Sequence, residues 1–356
     1  MDLPLLFAFL VAFCVAIYVI ADGFDLGIGI LFLIAPREED RDLMMESIVP
    51  MWDGNETWLV AGGTLLLGAF PPGYYILLPA LYIPVILMLF SLILRGVAFE
   101  YRFHAERSRR LWDWIFAAGS LLATLCQGLI LGGFIQGVPV HDGAFAGGSF
   151  SFLGVLGLLC GIGLVGGYAL LGAGWLIWKT EGATQVFGRE VGRAALILAV
   201  AMMAVVSLWT AVTQPEIAER WFNPTYGFAQ VLLPVVAAGA AALLWRQLWG
   251  EIAVLPFVLG LVLFLCGLGG LTVSLWPYVV PRQITIWDGA ADAKSLQVIG
   301  MGAVFIMPII IAYMAYAYWT FRGKTRIGAD DDSAGDVRPE IAFRPTCVAR
   351  NGLHLS

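Results

Sequence analysis

Charge is what this sequence has least of. Asp, Glu, Lys and Arg together make up 13% of its 356 residues, against about 25% in an average soluble domain. That scarcity excludes a soluble globular protein. Histidine is scarcer still. There are three, His104, His141 and His354, and none lies inside a long apolar run. Membrane haems take axial His, Met, Cys or Tyr ligands, usually including His, so the chain is expected to bind no haem by itself. The five cysteines form no C-x-x-C pair, and Cys14, Cys126, Cys160 and Cys266 sit in apolar stretches. They read as small packing residues, not as disulfides or metal ligands. No basic stripe is present for nucleic acid, and no phosphate-loop or zinc-protease motif occurs. The N-terminus has Asp2 where a cleaved leader would be positive, and its apolar run is too long for one.

What is abundant is apolar surface. Hydrophobic residues reach 60% and the mean hydropathy is +0.84. Together these predict an all-α, polytopic membrane protein. The apolar runs predict nine spans, about Leu3–Ala35, Val49–Phe70, Tyr74–Ala98, Leu111–Gly137, Phe150–Trp178, Ala194–Val212, Phe228–Trp249, Ile252–Trp276 and Leu296–Phe321. Thirteen Lys and Arg residues fall in the loops and tail turn on one side, beginning with Arg37 and Arg41. Arg220, Arg282 and Lys294 stand alone on the other. Cationic loops stay in the cytoplasm, so the N-terminus is expected outside and the C-terminus inside. The Gly-rich, Lys/Arg-free segment 138–149 is a natural seam between a four-span first half and a five-span second half. Glycines repeat at four-residue spacing, as in Gly23/Gly27, Gly128/Gly132 and Gly157/Gly161, which lets helices approach closely in lipid.

Ionisable residues inside such spans are costly and mark a pathway or a partner. Asp22 and Asp25 lie three apart in the first span and so share one helix face. Asp53 and Glu56 fall at the inner edge of the second span. Arg95 and Glu100 end the third, and Asp113 opens the fourth between Trp112 and Trp114. By the predicted topology all seven gather toward the cytoplasmic side of the first half. A chain of carboxylates there has the chemistry of a proton relay. Other readings stay open. Asp53-x-x-Glu56 fits a helix-capping arrangement. Arg95 fits an internal pair with Asp25 or Asp22, and Asp113 fits an interface anchor. Glu100 fits an exposed charge at the start of a basic loop.

The blocks Asp22-Gly-Phe-Asp-Leu-Gly27 and Met51-Trp-Asp-Gly-Asn-Glu-Thr-Trp58 resemble subunit II of the cytochrome bd family of quinol oxidases. Leu94–Arg102, Trp112-Asp113-Trp114, Gln136–Pro139, Pro277 and Trp287-Asp288 extend the resemblance over roughly residues 3–320. The tail beyond Thr325 carries no match. The resemblance implies two four-helix bundles, about residues 1–140 and 141–280. A peripheral last helix at 281–325 and a cytoplasmic tail at 326–356 would follow. It implies a bacterial inner-membrane complex that oxidises quinol and reduces O2 to water. Two haems b and one haem d would sit in a haem-bearing subunit I, and a small single-span accessory subunit, lipids and quinone are further partners. It implies a cytoplasmic proton route past Asp53 and Glu100, with Asp22, Asp25, Glu56, Arg95 and Asp113 as a supporting charged cluster. The runners-up from the residues alone are a proton-coupled transporter and a purely structural membrane subunit.

Overall fold

Eleven α-helices and two short β-hairpins make up the computed structural model, which describes residues 2–105, 107–223 and 229–325. The tail at 326–356, with Cys347 and His354, lies outside the described residues. Nine of the helices have 18 residues or more: α1 (Leu3–Phe32), α3 (Trp52–Ala69), α4 (Pro71–His104), α5 (Arg109–Gln136), α6 (Val155–Lys179), α7 (Gly182–Thr213), α9 (Ala229–Gln247), α10 (Leu255–Leu275) and α11 (Ala293–Thr320). They correspond in order to the nine expected spans. Eight are long and apolar enough to cross a membrane. The exception is α3, whose first turns carry Asp53, Asn55 and Glu56. The chain is therefore an all-α, multi-pass membrane protein.

Two short helices were not foreseen. These are α2 (Glu38–Glu46), after α1, and α8 (Pro215–Phe222), after α7. Neither has an apolar run, so hydropathy hid them. The hairpins pair β1 (Val140–His141) with β2 (Ala144–Phe145) and β3 (Tyr278–Val280) with β4 (Ile284–Thr285). The first occupies the expected seam. Helix α7 starts about three turns before the expected Ala194. Arg189 and Arg193 thus lie on a helix instead of in a loop. Arg189 donates to the Gln247 carbonyl at 3.1 Å, and Arg193 stacks 3.9 Å over the Trp249 ring. Long basic side chains at a helix end reach the interface while their stems stay apolar, which is why charge alone misplaced the boundary.

Local chemistry sets several ends. The Asp2 carboxylate accepts from the Leu5 N–H at 3.2 Å, and Pro4 fills the first turn of α1. Asp292 accepts from the Lys294 and Ser295 N–H groups to start α11. Both satisfy N–H groups that a helix start leaves unpaired. At 1.5 Å per residue, the 34 residues of α4 reach roughly 50 Å. That exceeds the ~30 Å hydrocarbon core, so α4 projects beyond it.

Packing centres on α1 and α6. Helix α1 lies against α3, α5 and α6, and α6 lies against α5, α7 and α10. Close approach depends on glycine. A Cβ at Gly172 would come 2.6 Å from the Gly27 backbone, closer than any side chain tolerates. A Cβ at Gly128 of α5 would likewise come 2.1 Å from the Gly161 Cα of α6. Helix α11 touches chiefly α3 and leaves most of its surface outside, including Phe305, Ile309 and Tyr316. Its end is tied down by two lysines. Lys179 donates to the carbonyls of Phe321 and Gly323, and Lys324 donates to the Thr180 carbonyl at 2.8 Å.

Candidate functional site

The seven residues expected in one cluster divide into two groups plus two exposed carboxylates. The first group is buried where α1, α3 and α4 meet. Asp22, Asp25, Asn55 and Arg95 are all at 0% exposure. Arg95 places one guanidinium nitrogen 2.7 Å from Asp22 and the other on Glu56. Asp25 is held differently. Its Oδ2 accepts from the Asn55 amide at 2.7 Å, and the same amide reaches the Ala21 carbonyl at 3.3 Å. Tyr318 of α11 donates to the Asn55 side-chain oxygen at 3.0 Å. Of the two partners that the sequence left open for Arg95, the structure selects Asp22 and adds Glu56. Asp22 and Asp25 share one face, as the spacing requires.

A neutral extension runs inward beside this group. Gln127 of α5 donates to the Tyr18 hydroxyl at 2.8 Å and accepts from Tyr168 of α6 at 2.7 Å. Tyr18 lies one turn before Asp22 on α1. Sequence reasoning passed over these residues because it counted only charges. A glutamine inside an otherwise apolar span was the signal, since a buried amide needs partners.

The second group closes the same end of the bundle and includes Asp113. Arg102 binds Asp113 at 2.5 Å and Asp42 at 2.8 Å. Arg41 meets the other Asp113 oxygen at 3.3 Å, and Arg109 bridges Asp42 at 2.5 Å and Glu38 at 2.9 Å. Three cations thus meet three carboxylates around α2. Asp113 is 5% exposed, so it is not an interface anchor. Trp114 faces outward beside it and Trp112 is half-buried against Tyr101. Arg102 was expected in a loop. It is fully buried because α4 continues past Ala98 to His104, and residues 95, 99 and 102 share a helical face.

On α2 itself, burial pushes the Asp40 carboxyl up, but its partners outweigh this and hold it below the usual carboxylate range. Arg37 grips it with two nitrogens at 3.0 and 3.2 Å, and Thr184 of α7 donates at 2.7 Å. This fastens α2 to the start of α7.

Asp53 and Glu100 belong to neither group. Both are exposed on the chain. The Trp52 and Phe99 rings stack at 4.8 Å, so the α3 start and the α4 end that carry the two carboxylates lie side by side. The capping reading of Asp53-x-x-Glu56 does not hold. Met51 is the N-cap of α3, no side chain caps it, and Asp53 lies inside the first turn. Acidic residues there still favour the positive end of the helix dipole.

The family model described as cytochrome bd terminal oxidase subunit II matches residues 3–321. The chain belongs to that family. Among its relatives is the cytochrome bd-I ubiquinol oxidase subunit 2 of Escherichia coli K12, 28% identical over 354 aligned residues. That match covers 86% of this chain and 91% of the relative. The cytochrome bd ubiquinol oxidase subunit 2 of Bacillus subtilis is 26% identical, covering 85% of this chain and 91% of its own length. Among solved structures, the bd oxidase from Geobacillus thermodenitrificans gives a TM-score of 0.75 at 16% identity. It covers 91% of this chain and 100% of that one, which shows a shared fold. A bd terminal oxidase subunit II is one part of a respiratory complex, with a partner subunit I and haem in the assembly. Among the described residues, no group of three or more His, Cys, Asp or Glu side chains is placed to hold a metal ion. His104 ends α4, its ring on the Glu100 carbonyl, and His141 lies in the first hairpin.

Proposed function

We propose that this chain is the non-haem subunit of a bd-type quinol oxidase. It supports the haem-bearing subunit I and feeds it protons from the cytoplasm through Asp53 and Glu100. Quinol supplies the electrons and O2 is reduced to water. The observation that carries this reading is the exposure of Asp53 and Glu100 on adjacent helix ends, in a chain whose other carboxylates nearby are buried or paired. Exposed acids in a row can exchange protons with water and with a docked partner. The supporting acids then hold this end of the bundle in shape.

In this reading the Asp53 end faces the cytoplasm, the N-terminus lies outside and the C-terminus inside, as the Lys/Arg asymmetry requires. Helices α1 and α3–α5 form the first bundle, α6, α7, α9 and α10 the second, and α11 rides at the periphery. The complex holds two haems b and one haem d in subunit I and sits in the bacterial inner membrane. A small accessory subunit, lipids and quinone complete it.

A purely structural role is the second reading. The Arg102–Asp113 network favours it, since three cations there balance three carboxylates and need exchange nothing. The direct test of assembly is to purify a tagged copy of the chain from its own membrane in mild detergent. A co-purifying second polypeptide with b- and d-type haem bands in the reduced-minus-oxidised spectrum is expected. A single, colourless, folded chain would contradict the assignment.

A further inference from the structure

The ionic group around Arg95 is out of balance. Asp22, Asp25 and Glu56 offer three carboxyls, and Arg95 is the one described cation within ion-pair distance of any of them. With every carboxyl ionised, negative charges outnumber positive ones by two. The groups facing it from each neighbouring element are Tyr18 on α1, Asp53 on α3, Gln127 on α5, Tyr168 on α6 and Tyr318 on α11. None brings positive charge. Unbalanced charge among apolar helices is costly, and a carboxyl answers by taking up a proton.

Geometry says which carboxyls take it. Arg95 touches Asp22 and Glu56. Asp25 meets only the neutral Asn55 amide, and its other oxygen, fully buried, has no partner. The Arg95 Nε is likewise buried without a partner. Among the described residues the acids do not converge as a metal ion would need. Glu56 differs from the rest because its side chain is 25% exposed, whereas those of Asp22 and Arg95 are at 0%. It also lies one turn from the exposed Asp53.

We propose that the Arg95 group is a proton-holding site, in which Asp25 stays protonated and Glu56 exchanges its proton with the exposed start of α3. This deepens the uptake reading and rests on it for the role of Asp53. In the exchange, an O–H bond breaks at Asp53 or at a water beside it, and one forms at a Glu56 carboxyl oxygen. Asp53 is left as carboxylate and is refilled from solvent. Arg95 keeps Asp22 throughout, so its charge never goes unpaired. No electrons move.

The test uses the assembled oxidase, with haem absorbance as the control for assembly. Absolute infrared spectra of the protonated-carboxyl region are recorded across a pH titration for wild type, Asp25→Asn and Glu56→Gln. One protonated-carboxyl band that does not titrate is expected, lost in Asp25→Asn. A second band that titrates is expected, lost in Glu56→Gln, whose oxygen-consumption pH profile also shifts. Should Asp25→Asn fail to assemble, carbon-13 labelling of aspartate in the wild-type complex must shift the constant band. Retention of every protonated-carboxyl band in both variants, or an unshifted band on labelling, overturns the proposal. So does a Glu56→Gln complex with the wild-type pH profile. Normal turnover in Asp53→Asn with both bands in place overturns the uptake reading instead, and leaves the proton-holding group standing.

Discussion

Arg95 and Asp22 meet at 2.7 Å with neither side chain reaching solvent. They come from helices α4 and α1, more than seventy residues apart, and the pair ties the two helices together. Arg95 also binds Glu56 on α3, so one guanidinium ties three helices. Removing one partner of a buried ion pair costs about 3–5 kcal/mol, because the other charge is left bare. Arg95→Gln is expected to lower the yield of assembled, haem-containing complex severalfold. The amount of complex per milligram of membrane protein, read from the haem spectrum, checks it. A normal yield would show that the acids do not need this cation.

The contact between Gly128 and Gly161 brings α5 and α6 backbone to backbone. A Cβ at Gly128 would lie 2.1 Å from the Gly161 Cα, so a side chain there must push the helices apart. Overpacking a fitted interface costs about 1–3 kcal/mol. Gly128→Val is expected to lower the thermal-inactivation midpoint of the purified complex, whereas Gly302→Val on α11, with open space around it, should leave it unchanged. Equal midpoints for the two variants would refute the packing role.

Asp40 ties α2 to α7 and gives a pH signature. Burial raises its carboxyl, but Arg37 and Thr184 outweigh this and hold it below the usual range. A depressed carboxylate stabilises the fold above the unfolded-state pKa, and that stability is lost as pH falls through the folded value. Asp40→Asn is therefore expected to be less heat-stable than wild type near neutral pH, with the gap closing in acid below the ordinary carboxylate range. A gap that stays constant with pH would contradict the assignment.

Orientation rests on the Lys/Arg asymmetry. A single reactive cysteine placed at Asp142 is expected to react with a membrane-impermeant thiol reagent on intact cells stripped of outer membrane. One placed at Glu39 is expected to react only after the membrane is opened. The reverse pattern would invert the topology.

Much of this architecture was legible because lipid leaves few choices. Nine apolar runs gave nine long helices in order, and Asp22 and Asp25 stood out as charges three apart in an apolar span. The partner of Arg95 was not legible. Asp22 and Asp25 share one face, and the choice depends on how α4 is rotated against α1, which no local pattern encodes. Asp113 pairs with Arg102 and Arg41 and not with the Asp22 group, because α4 runs on past Ala98 and puts Arg102 on its buried face, which the apolar run does not signal. The ledger of charges also hid Asn55, Gln127, Tyr18 and Tyr168. These carry no charge: Asn55 donates to Asp25, and Gln127 joins Tyr18 to Tyr168 beside the buried acids. Helix α2 was invisible to hydropathy and is held by ion pairs instead.

The central claim is that Asp53 and Glu100 pass protons to the oxidase. Its most direct test is oxygen consumption per haem in the assembled complexes carrying Asp53→Asn and Glu100→Gln. Both substitutions keep the shape of the side chain and remove its ability to carry a proton. A severalfold slower rate with haem content and spectrum unchanged is the result predicted for each. Wild-type turnover per haem in both variants would contradict the claim, and loss of haem in step with activity would place these residues in assembly instead.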